Sequence, residues 1–295
     1  MKIAQFENVN IKPPDETQFH FKGIFTLSNF QIFKLSCATN SAMQKISAVI
    51  ITYNEEKKIA TCLASLQGVA DEIVVLDSFS KDKTPDICKQ YGVRFYQQSW
   101  KGYGAQKNDA AQKASNDYIL SLDADESLSP ILQRSVIDEK KAGLSGVYQM
   151  NRLNNFYGYD LYHGNAYPDT MKRLYNRKEA KWSLRPVHET LDIAKGVPTR
   201  KLNGNLLHRS KDTLEDHIAG INKYSSIGAR VYFEAGKKAA GFKLVIGPLF
   251  TFINGYFFRL GFLDGYAGFM MAKINAYEVF LKYSKLLLLQ RNKTK

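Results

Sequence analysis

The chain has 295 residues, 44% of them hydrophobic and 23% charged, which is ordinary for a globular protein of one large domain or one domain with an appendage. Its formal net charge of +13 favours an anionic partner: nucleic acid, a phosphorylated small molecule or an acidic membrane surface. Three widely spaced cysteines without a C-x-x-C pair indicate reduced thiols in the cytosol and argue against a disulfide scaffold or a zinc site.

Residues 1–42 do not share the pattern of the rest of the chain. They contain Pro13-Pro14-Asp15-Glu16 and no continuous apolar segment, so a secretory signal is not expected. The first strong strand pattern follows Met43. We therefore expect residues 1–42 to be a poorly ordered extension upstream of a natural start at Met43.

Between Lys45 and Glu126, short apolar segments alternate with helical patterns, which predicts right-handed βαβ units and a parallel, doubly wound sheet. One pattern begins at Thr84-Pro85, with a capping hydroxyl and proline at the first helical position. The predicted strands are 46–52, 71–77, 93–96 and 117–122. Two further helices are predicted: one has Ile59, Leu63 and Leu66 on one face, and the other covers residues 104–114.

Polar side chains follow three of these strands, at the edge where open α/β sheets bind ligands. They lie in the segments 52–55, 77–84 and 123–126. No G-x-G-x-x-G follows the first strand and no G-x-x-x-x-G-K-[ST] occurs, which weighs against a Rossmann dehydrogenase and a P-loop nucleotide hydrolase. A nucleotide bound at this edge would therefore be held by side chains and a metal.

The acidic run after the fourth predicted strand marks one end of this crevice. Asp123 and Asp125 are two positions apart, so both point to one face while the chain stays extended. Carboxylates are hard ligands that suit Mg²⁺ or Mn²⁺ carrying phosphate oxygens. The alternative is that the run opens a turn and caps the helix that begins near Ser129-Pro130.

The other strand ends predict the base and ribose end of the same crevice. Asp77 is placed to accept a hydrogen bond from a base N–H, and Thr52, Asn54 and Glu55 to reach base and ribose. A purely structural role is the alternative for three residues here that are good helix N-caps, namely Asn54, Ser80 and Asp82.

In their order and spacing, four motifs resemble the inverting family 2 glycosyltransferases with the GT-A fold. They are V-I-I-T-Y-N-E-E, D-E-I-V-V-L-D-S-x-S-x-D-x-T, G-x-x-x-Q-K-N-x-A and S-L-D-A-D-E. Phe79 stands where many relatives carry glycine, which puts the local turn in doubt. Later segments resemble the branch that includes bacterial lipopolysaccharide core β-1,4-glucosyltransferases: Tyr167-Pro168-Asp169, Arg173-Leu174-Tyr175, Pro186-Val187-His188-Glu189, Leu207-His208 and Gly261-Phe262-Leu263-Asp264-Gly265.

The resemblance implies an inverting transfer from a nucleotide sugar with a divalent metal, Mg²⁺ or Mn²⁺. It implies that Asp125 is the direct metal ligand and that Asp123 contacts the ribose or the metal. His208 completes the metal shell on the same reasoning, although a lone histidine at a strand end is more often structural. Lys107 would meet nucleotide or phosphate, with a solvated surface lysine as the alternative, and Asp82 belongs to the same nucleotide-binding set.

The catalytic base has two candidates in the predicted acceptor half, Glu189 and Asp169. Glu189 is favoured because it lies on a loop after Trp182 and Arg185-Pro186. Either could instead be a surface acid paired with a nearby cation. The segment Met171 to Lys211, with eleven Lys and Arg against three Asp and Glu, would suit an acceptor carrying phosphate or carboxylate groups.

Beyond residue 212 the chain becomes helical, and the segment 244–258 is apolar for only 15 residues and contains Gly, Pro and Asn. A spanning helix needs about 20 apolar residues, so interfacial helices on an anionic membrane surface are expected. A packed helical subdomain or a dimer interface is the alternative.

The sequence therefore predicts a GT-A α/β fold, with a mixed, mainly parallel sheet and a C-terminal helical appendage. The predicted domains are an extension at 1–42, a catalytic domain at 43–211 and a membrane-associating helical region at 212–295. Within the catalytic domain, 43–126 would bind nucleotide and 127–211 the acceptor.

The predicted activity moves glucose or another hexose from a UDP-sugar to a lipid-linked or core oligosaccharide in the synthesis of lipopolysaccharide core or a related envelope glycan. The enzyme would be cytoplasmic, peripheral on the inner face of the cytoplasmic membrane, and without a nucleic-acid partner. The alternatives are a non-catalytic anion- or nucleic-acid-binding protein and a sugar-1-phosphate nucleotidyltransferase.

Overall fold

The computed structural model describes residues 43–185, 189–209, 213–238 and 241–293. The predicted extension at 1–42, Cys37 and the Pro186-Val187-His188 part of the later motif lie outside the described residues. Cys62 and Cys88 are buried free thiols, and burial raises the pKa of the Cys88 thiol to about 12.

The described residues contain eleven strands. They are β1 Ile46–Thr52, β2 Glu72–Asp77, β3 Arg94–Gln97, β4 Tyr118–Asp123, β5 Glu126–Leu128, β6 Val147–Phe156, β7 Tyr159–Asp160, β8 Asp169–Asn176, β9 Ala180–Trp182, β10 Leu191–Ile193 and β11 Thr199–His208.

Nine of these strands form one sheet in the order β3-β2-β1-β4-β8-β6-β11-β5, with β7 paired to β6. The first four strands in this order are parallel. Strand β8 is antiparallel to β4 and β6, while β11 runs parallel to β6 and antiparallel to β5. A separate two-stranded ribbon joins β9 and β10.

The helices cover both faces of the parallel part of the sheet and then continue alone to the end of the described chain. The sheet and the helices together confirm the predicted fold, a mixed, mainly parallel sheet with a helical C-terminal region. The helices are α1 Ile59–Ser65, α2 Thr84–Gln90, α3 Tyr103–Lys113, α4 Pro130–Ala142, α5 Leu214–Glu234, α6 Lys243–Ile253 and α7 Gly265–Lys293.

Strand β1 lies at the centre of the core, and all seven of its residues are buried. Ile46 and Ile50 pack in the cluster that contains Leu63 of α1, while Val49 packs on the other face in the cluster that contains Ala110 of α3. A strand with helices on both faces needs apolar residues on both, so its sequence is a continuous apolar run rather than an alternation. This burial makes the carboxyl end of β1 a rigid support for the loop that follows.

The start of α2 differs from the prediction. Thr84 is the first helical residue rather than the cap, and its Oγ1 accepts a hydrogen bond from the Glu55 N–H at 2.9 Å. The Thr84 N–H is instead accepted by Asp82 Oδ1 at 3.0 Å. The predicted capping hydroxyl is therefore wrong, because Thr84 joins α2 to the loop after β1.

The turn after β2 accommodates Phe79 where relatives have glycine. Phe79 has φ +63° and its side chain is half exposed. A non-glycine residue is uncommon in this left-handed region, so the doubt that the resemblance raises about this turn falls on a backbone conformation that favours glycine.

The opposite edge of the sheet is held by a structural carboxylate. Glu72 accepts hydrogen bonds from Ser47, from the hydroxyl and backbone N–H of Ser115, and from Arg94. Burial alone would raise its pKa, but these donors outweigh that effect and hold the pKa at about 2. At the amino edge of the parallel strands, the Glu72 carboxylate therefore joins β1 and β2 to the segment that precedes β4.

The C-terminal helices are attached to the sheet by specific polar contacts. The Asp264 carboxylate, almost fully buried, accepts from the His163 N–H at 2.8 Å and lies 2.7 Å from His163 Nδ1. Tyr157, in the turn between β6 and β7, donates its hydroxyl proton to the Thr213 carbonyl at the start of α5. These contacts orient the helical region on the side of the sheet formed by β6 and β7.

Helix α6 and the turn after it carry an exposed apolar surface. Helix α6 contains Pro248 and has no buried residue, and the chain then turns through residues 254–264 into α7. In the described part of the chain no single helix has the length and apolar character of a membrane span, whereas Lys243–Phe258 and Gly261–Asn292, bent by 75°, reach them as a pair. The exposed apolar residues on this side include Val245, Ile246, Leu249, Phe250, Phe257, Phe258, Leu263 and Tyr266.

Candidate active site

The loops that follow β1 and β2 are fastened to each other at the carboxyl edge. Asn54 Oδ1 accepts from the Lys81 N–H at 2.8 Å, and the Asn54 N–H donates to Ser80 Oγ at 2.8 Å. Asp82 Oδ2 accepts from the Glu56 N–H at 3.0 Å. Asn54 and Asp82 thus shape the floor of the predicted nucleotide end, and their contact with a nucleotide stays a prediction.

Asp77, at the end of β2, is completely buried. Its oxygens accept from the Ser80 N–H at 2.8 Å, from the Ser80 hydroxyl and from Gln97 Nε2 at 3.1 Å. The neighbouring Thr52 hydroxyl is buried and has no partner within the described residues, and Glu55 pairs with Lys58 at 3.6 Å. The structure therefore gathers the predicted base-binding residues at one end of the crevice, with Thr52 holding an unused donor.

A buried guanidinium organises the end of β4. Arg173, completely buried on β8, donates from Nη2 to Asp123 Oδ2 at 2.9 Å and to Glu126 Oε1 at 2.5 Å. Glu126 Oε2 in turn accepts from the Asp123 N–H at 3.0 Å. One cation thus holds both ends of the Asp123–Glu126 turn, and this turn sets the direction of Asp125.

Lys107 connects this turn to Glu189, in the segment before β10. Its Nζ is buried, 3.2 Å from Asp123 Oδ1 and 3.1 Å from Glu189 Oε1, and it lies over the Trp182 ring at 4.6 Å from the ring centroid. A solvated surface lysine is thereby excluded. Burial alone would raise the pKa of Asp123, but Lys107 and Arg173 more than offset it and hold the pKa well below its ordinary value.

Asp125 and His208 meet beside this network. Asp125 Oδ2 lies 3.4 Å from His208 Nε2, and His208 Nδ1 lies 2.7 Å from Asn154 Oδ1. Asn154 Nδ2 donates to the Ala166 carbonyl at 3.0 Å, which identifies Oδ1 as the acceptor that faces the histidine. Nδ1 therefore carries a proton, and Nε2 is the ring nitrogen directed at the carboxylate.

This donor set fits a divalent cation. A neutral Nε2 and a carboxylate oxygen are both acceptors, so their approach requires a proton or a cation shared between them. A hydrogen bond from the other ring nitrogen, which fixes the tautomer, is typical of metal-ligating histidines. No group of three or more potential ligand side chains occurs among the described residues, so a metal at Asp125 and His208 would take its remaining ligands from a diphosphate and water.

Asp169, the second candidate base, lies farther along the charge network. Arg152 Nη2 is 2.7 Å from Asp169 Oδ2, and Arg152 Nη1 is 3.6 Å from Glu126 Oε1. Asp169 is therefore connected to Asp123 only through Arg152 and Glu126, whereas Glu189 is connected to Asp123 through Lys107 alone. The arrangement favours Glu189 on proximity.

Helix α5 lies close to the start of α3. Burial raises the pKa of Tyr103, the first residue of α3, and the neighbouring Tyr224 hydroxyl of α5 raises it further. Trp100 lies against Tyr103 with ring centroids 4.8 Å apart.

Sequence reasoning missed four residues of this site. The sequence places Arg173 in a motif of the resemblance and in a basic segment, and Glu126 in the acidic run, without a role for either. Trp182 serves there only to locate the loop of Glu189, and Asn154 carries no signal beyond its residue type. Other cations of the segment are also used internally, since Arg177 donates to the Ala111 and Ala114 carbonyls and Lys178 pairs with Asp117.

The model of one protein family, glycosyl transferase family 2, matches residues 47–197, which run from the second residue of β1 to the loop after β10 and contain the Lys107–Asp123–Glu126–Arg173–Glu189 charge network. The chain belongs to glycosyltransferase family 2. This glycosyltransferase is therefore an enzyme, and the alternatives of a non-catalytic binding protein and a nucleotidyltransferase lose their support.

Relatives of this glycosyltransferase match it over most of their length. An uncharacterized glycosyltransferase of Rickettsia prowazekii is 32% identical over 262 residues, which cover 83% of this chain and 87% of the relative. The lipopolysaccharide core biosynthesis glycosyltransferase LpsC of Rhizobium meliloti is 31% identical over 249 residues, covering 82% of this chain and 91% of LpsC. Both matches extend beyond the family domain.

Solved structures resemble the glycosyltransferase more distantly. Staphylococcus aureus TarS 1–349 has a TM-score of 0.41 at 16% identity, covering 82% of this chain and 92% of TarS 1–349. Glucosyl-3-phosphoglycerate synthase of Mycobacterium tuberculosis, in complex with Mn²⁺, UDP and glucosyl-3-phosphoglycerate, has a TM-score of 0.42 at 16% identity, covering 66% and 81%. At this distance neither structure assigns a residue role or a substrate to this chain.

Replacing Arg173 by leucine is expected to lower the free energy of unfolding by about 3–5 kcal/mol, because it leaves the completely buried Glu126 carboxylate with only a 3.6 Å contact to Arg152. Urea denaturation of the two proteins measures the difference. Arg200→Leu is the control, since Arg200 is half exposed and its pair with Glu139 is long at 3.7 Å; a change of about 1 kcal/mol or less is expected there. Equal effects of the two substitutions would contradict a special role for the buried guanidinium.

Proposed function

We propose that the enzyme transfers a hexose, with inversion, from a UDP-sugar to a saccharide acceptor of lipopolysaccharide core or a related envelope glycan. The observation that carries the proposal is the buried Lys107 ammonium, which joins Asp123, at the end of β4, to Glu189, before β10. The motif resemblance and the similarity to LpsC support the donor and acceptor classes.

In the proposed reaction, Glu189 takes the proton of an acceptor hydroxyl as its oxygen attacks the anomeric carbon. The new carbon–oxygen bond forms on the face opposite the diphosphate, and the anomeric carbon–phosphate oxygen bond breaks with its electrons leaving on the diphosphate. Lys107 orients the Glu189 carboxylate and keeps it within the site. A general base of this kind contributes about 10²–10⁴-fold to the rate.

Asp125 and His208 would hold Mg²⁺ or Mn²⁺, which supplies Lewis-acid stabilisation of the leaving diphosphate when bound. Asp123, held by Lys107 and Arg173, would contact the ribose or a metal-bound water. Thr52 and Asp77 would bind the nucleoside, with Asn54, Glu55 and Asp82 supporting the loops around it.

The enzyme is proposed to act at the inner face of the cytoplasmic membrane, with the exposed side of α6 and the turn after it on an anionic lipid surface. Charge complementarity supports this partner: residues 242–295 hold eight Lys and Arg against two Asp and Glu. One of those two acids, Asp264, is buried against His163. Apolar side chains flanked by cations are the composition of an interfacial helix on anionic lipid.

Glu189→Gln is expected to reduce transfer about 10²–10⁴-fold with UDP binding retained, because it removes the base and preserves the shape of the side chain. Asp169→Asn is the matched control and should leave most of the activity. A panel of UDP-, GDP- and ADP-sugars with delipidated core oligosaccharide, followed by the release of nucleoside diphosphate, measures both. Full activity of the glutamine variant would remove Glu189 from the mechanism, and loss in Asp169→Asn alone would transfer the role to Asp169.

The full chain is expected to cosediment with phosphatidylglycerol-containing vesicles more than with pure phosphatidylcholine vesicles, and less at high salt. Phe250→Glu and Phe258→Glu should each weaken this binding about tenfold or more, since a phenylalanine contributes about 1.5–3 kcal/mol on burial. Ile131→Glu on α4, also an exposed apolar position, is the control. Unchanged vesicle binding, or loss of a dimer instead, would refute the membrane assignment.

A further inference from the structure

A cavity of about 220 Å³ lies between the sheet and the C-terminal helices. A single water needs about 10–15 Å³, so the cavity has room for much more than a bridging water. His208 lines it on the sheet side, and Met271 and Asn275 of α7 line it on the helical side. Since His208 Nε2 is 3.4 Å from Asp125, the cavity opens beside the candidate metal pair.

The lining is rich in amide side chains and aromatic rings. Among the described residues, none that lines the cavity is Asp, Glu, Lys or Arg. Amides both donate and accept hydrogen bonds, which matches the hydroxyls of a sugar, and the absence of Lys and Arg from this lining among the described residues disfavours a phosphate. The amide-bearing lining residues are Asn154, Asn155, Asn165 and Asn275.

The four amides are not equally available. Asn154 is committed to His208 and the Ala166 carbonyl, and Asn155 to Asp160 and the Gly158 N–H. Asn165 Oδ1 accepts from Arg259 at 3.2 Å. In the part of the chain that the structure describes, the Asn275 amide makes no hydrogen bond, so its donor and acceptor are both available to a ligand.

Aromatic rings also line the cavity, from Phe156, Tyr157 and His217. The Phe156 ring lies 6.1 Å from the His217 ring, and the Tyr157 hydroxyl is 3.2 Å from His217 Nδ1. The apolar face of a sugar ring packs on such rings while its hydroxyls meet the amides. The cavity therefore has the two kinds of surface that an uncharged sugar ring requires.

We propose that this cavity binds an uncharged sugar ring of the acceptor, with Asn275 as the hydrogen-bonding residue that selects it. The inference rests on the proposed function and names its acceptor subsite. The acceptor is favoured over the donor because β6, α5 and α7 form the cavity, whereas the predicted nucleotide end lies at β1, β2 and β4. Helix α7 also continues from the exposed apolar turn, where a lipid-linked acceptor would arrive.

The test is saturation-transfer NMR of the full chain with methyl glycosides of glucose, galactose, mannose and N-acetylglucosamine. At least one glycoside is expected to bind, and Asn275→Ala and Asn275→Leu should weaken it about 3- to 10-fold, the effect of one hydrogen bond. Asn292→Ala, exposed on the same helix, is the matched control and should bind normally. The thermal shift produced by UDP with Mn²⁺ should be equal in all of these proteins.

Absence of glycoside binding to the unaltered chain, or equal binding by the Asn275 variants, would overturn the proposal. Displacement of the glycoside by UDP-glucose but not by UDP would assign the cavity to the donor sugar and would also overturn it. A missing thermal shift with UDP and Mn²⁺ in the unaltered chain would count against the proposed function instead, so the two failures are distinguishable.

Discussion

The buried guanidinium of Arg173 is the interaction on which the catalytic edge depends. It neutralises Asp123 and Glu126, two acids separated by a short turn at the end of β4. Without it, the buried Glu126 carboxylate would keep only a 3.6 Å contact with Arg152, and a buried charge that has lost its partner costs several kcal/mol. The turn between them sets the direction of Asp125, so the geometry of the candidate metal pair depends on a residue that touches neither of its members.

The same network joins the parallel part of the sheet to the segment before β10. Lys107 of α3 lies between Asp123, at the end of β4, and Glu189, which precedes β10. His208 belongs both to the candidate metal pair and to the lining of the amide-rich cavity. The turn at the end of β4 is therefore connected, through Asp125 and His208, to the cavity that α7 lines.

Much of the parallel sheet could be predicted because buried parallel strands are continuous apolar runs, as in Ile46–Thr52. The meeting of Asp125 with His208 followed from the family resemblance. The role of Arg173 could not be predicted, because it depends on the antiparallel pairing of β8 with β4, where Leu174 lies opposite Leu120. Local composition placed Arg173 in a basic segment, and only the tertiary pairing shows that it is a core residue.

We propose that the end of β4 forms a metal–diphosphate site whose protein ligands are Asp125 and His208. Electron spin echo measurements on the enzyme with Mn²⁺ and UDP probe these ligands, because a directly bound imidazole nitrogen modulates the manganese signal. The expected result is one strongly coupled nitrogen that disappears in His208→Ala, with loss of UDP-dependent Mn²⁺ binding in Asp125→Ala. A manganese signal without nitrogen coupling, or unchanged Mn²⁺ binding in Asp125→Ala, would contradict the account.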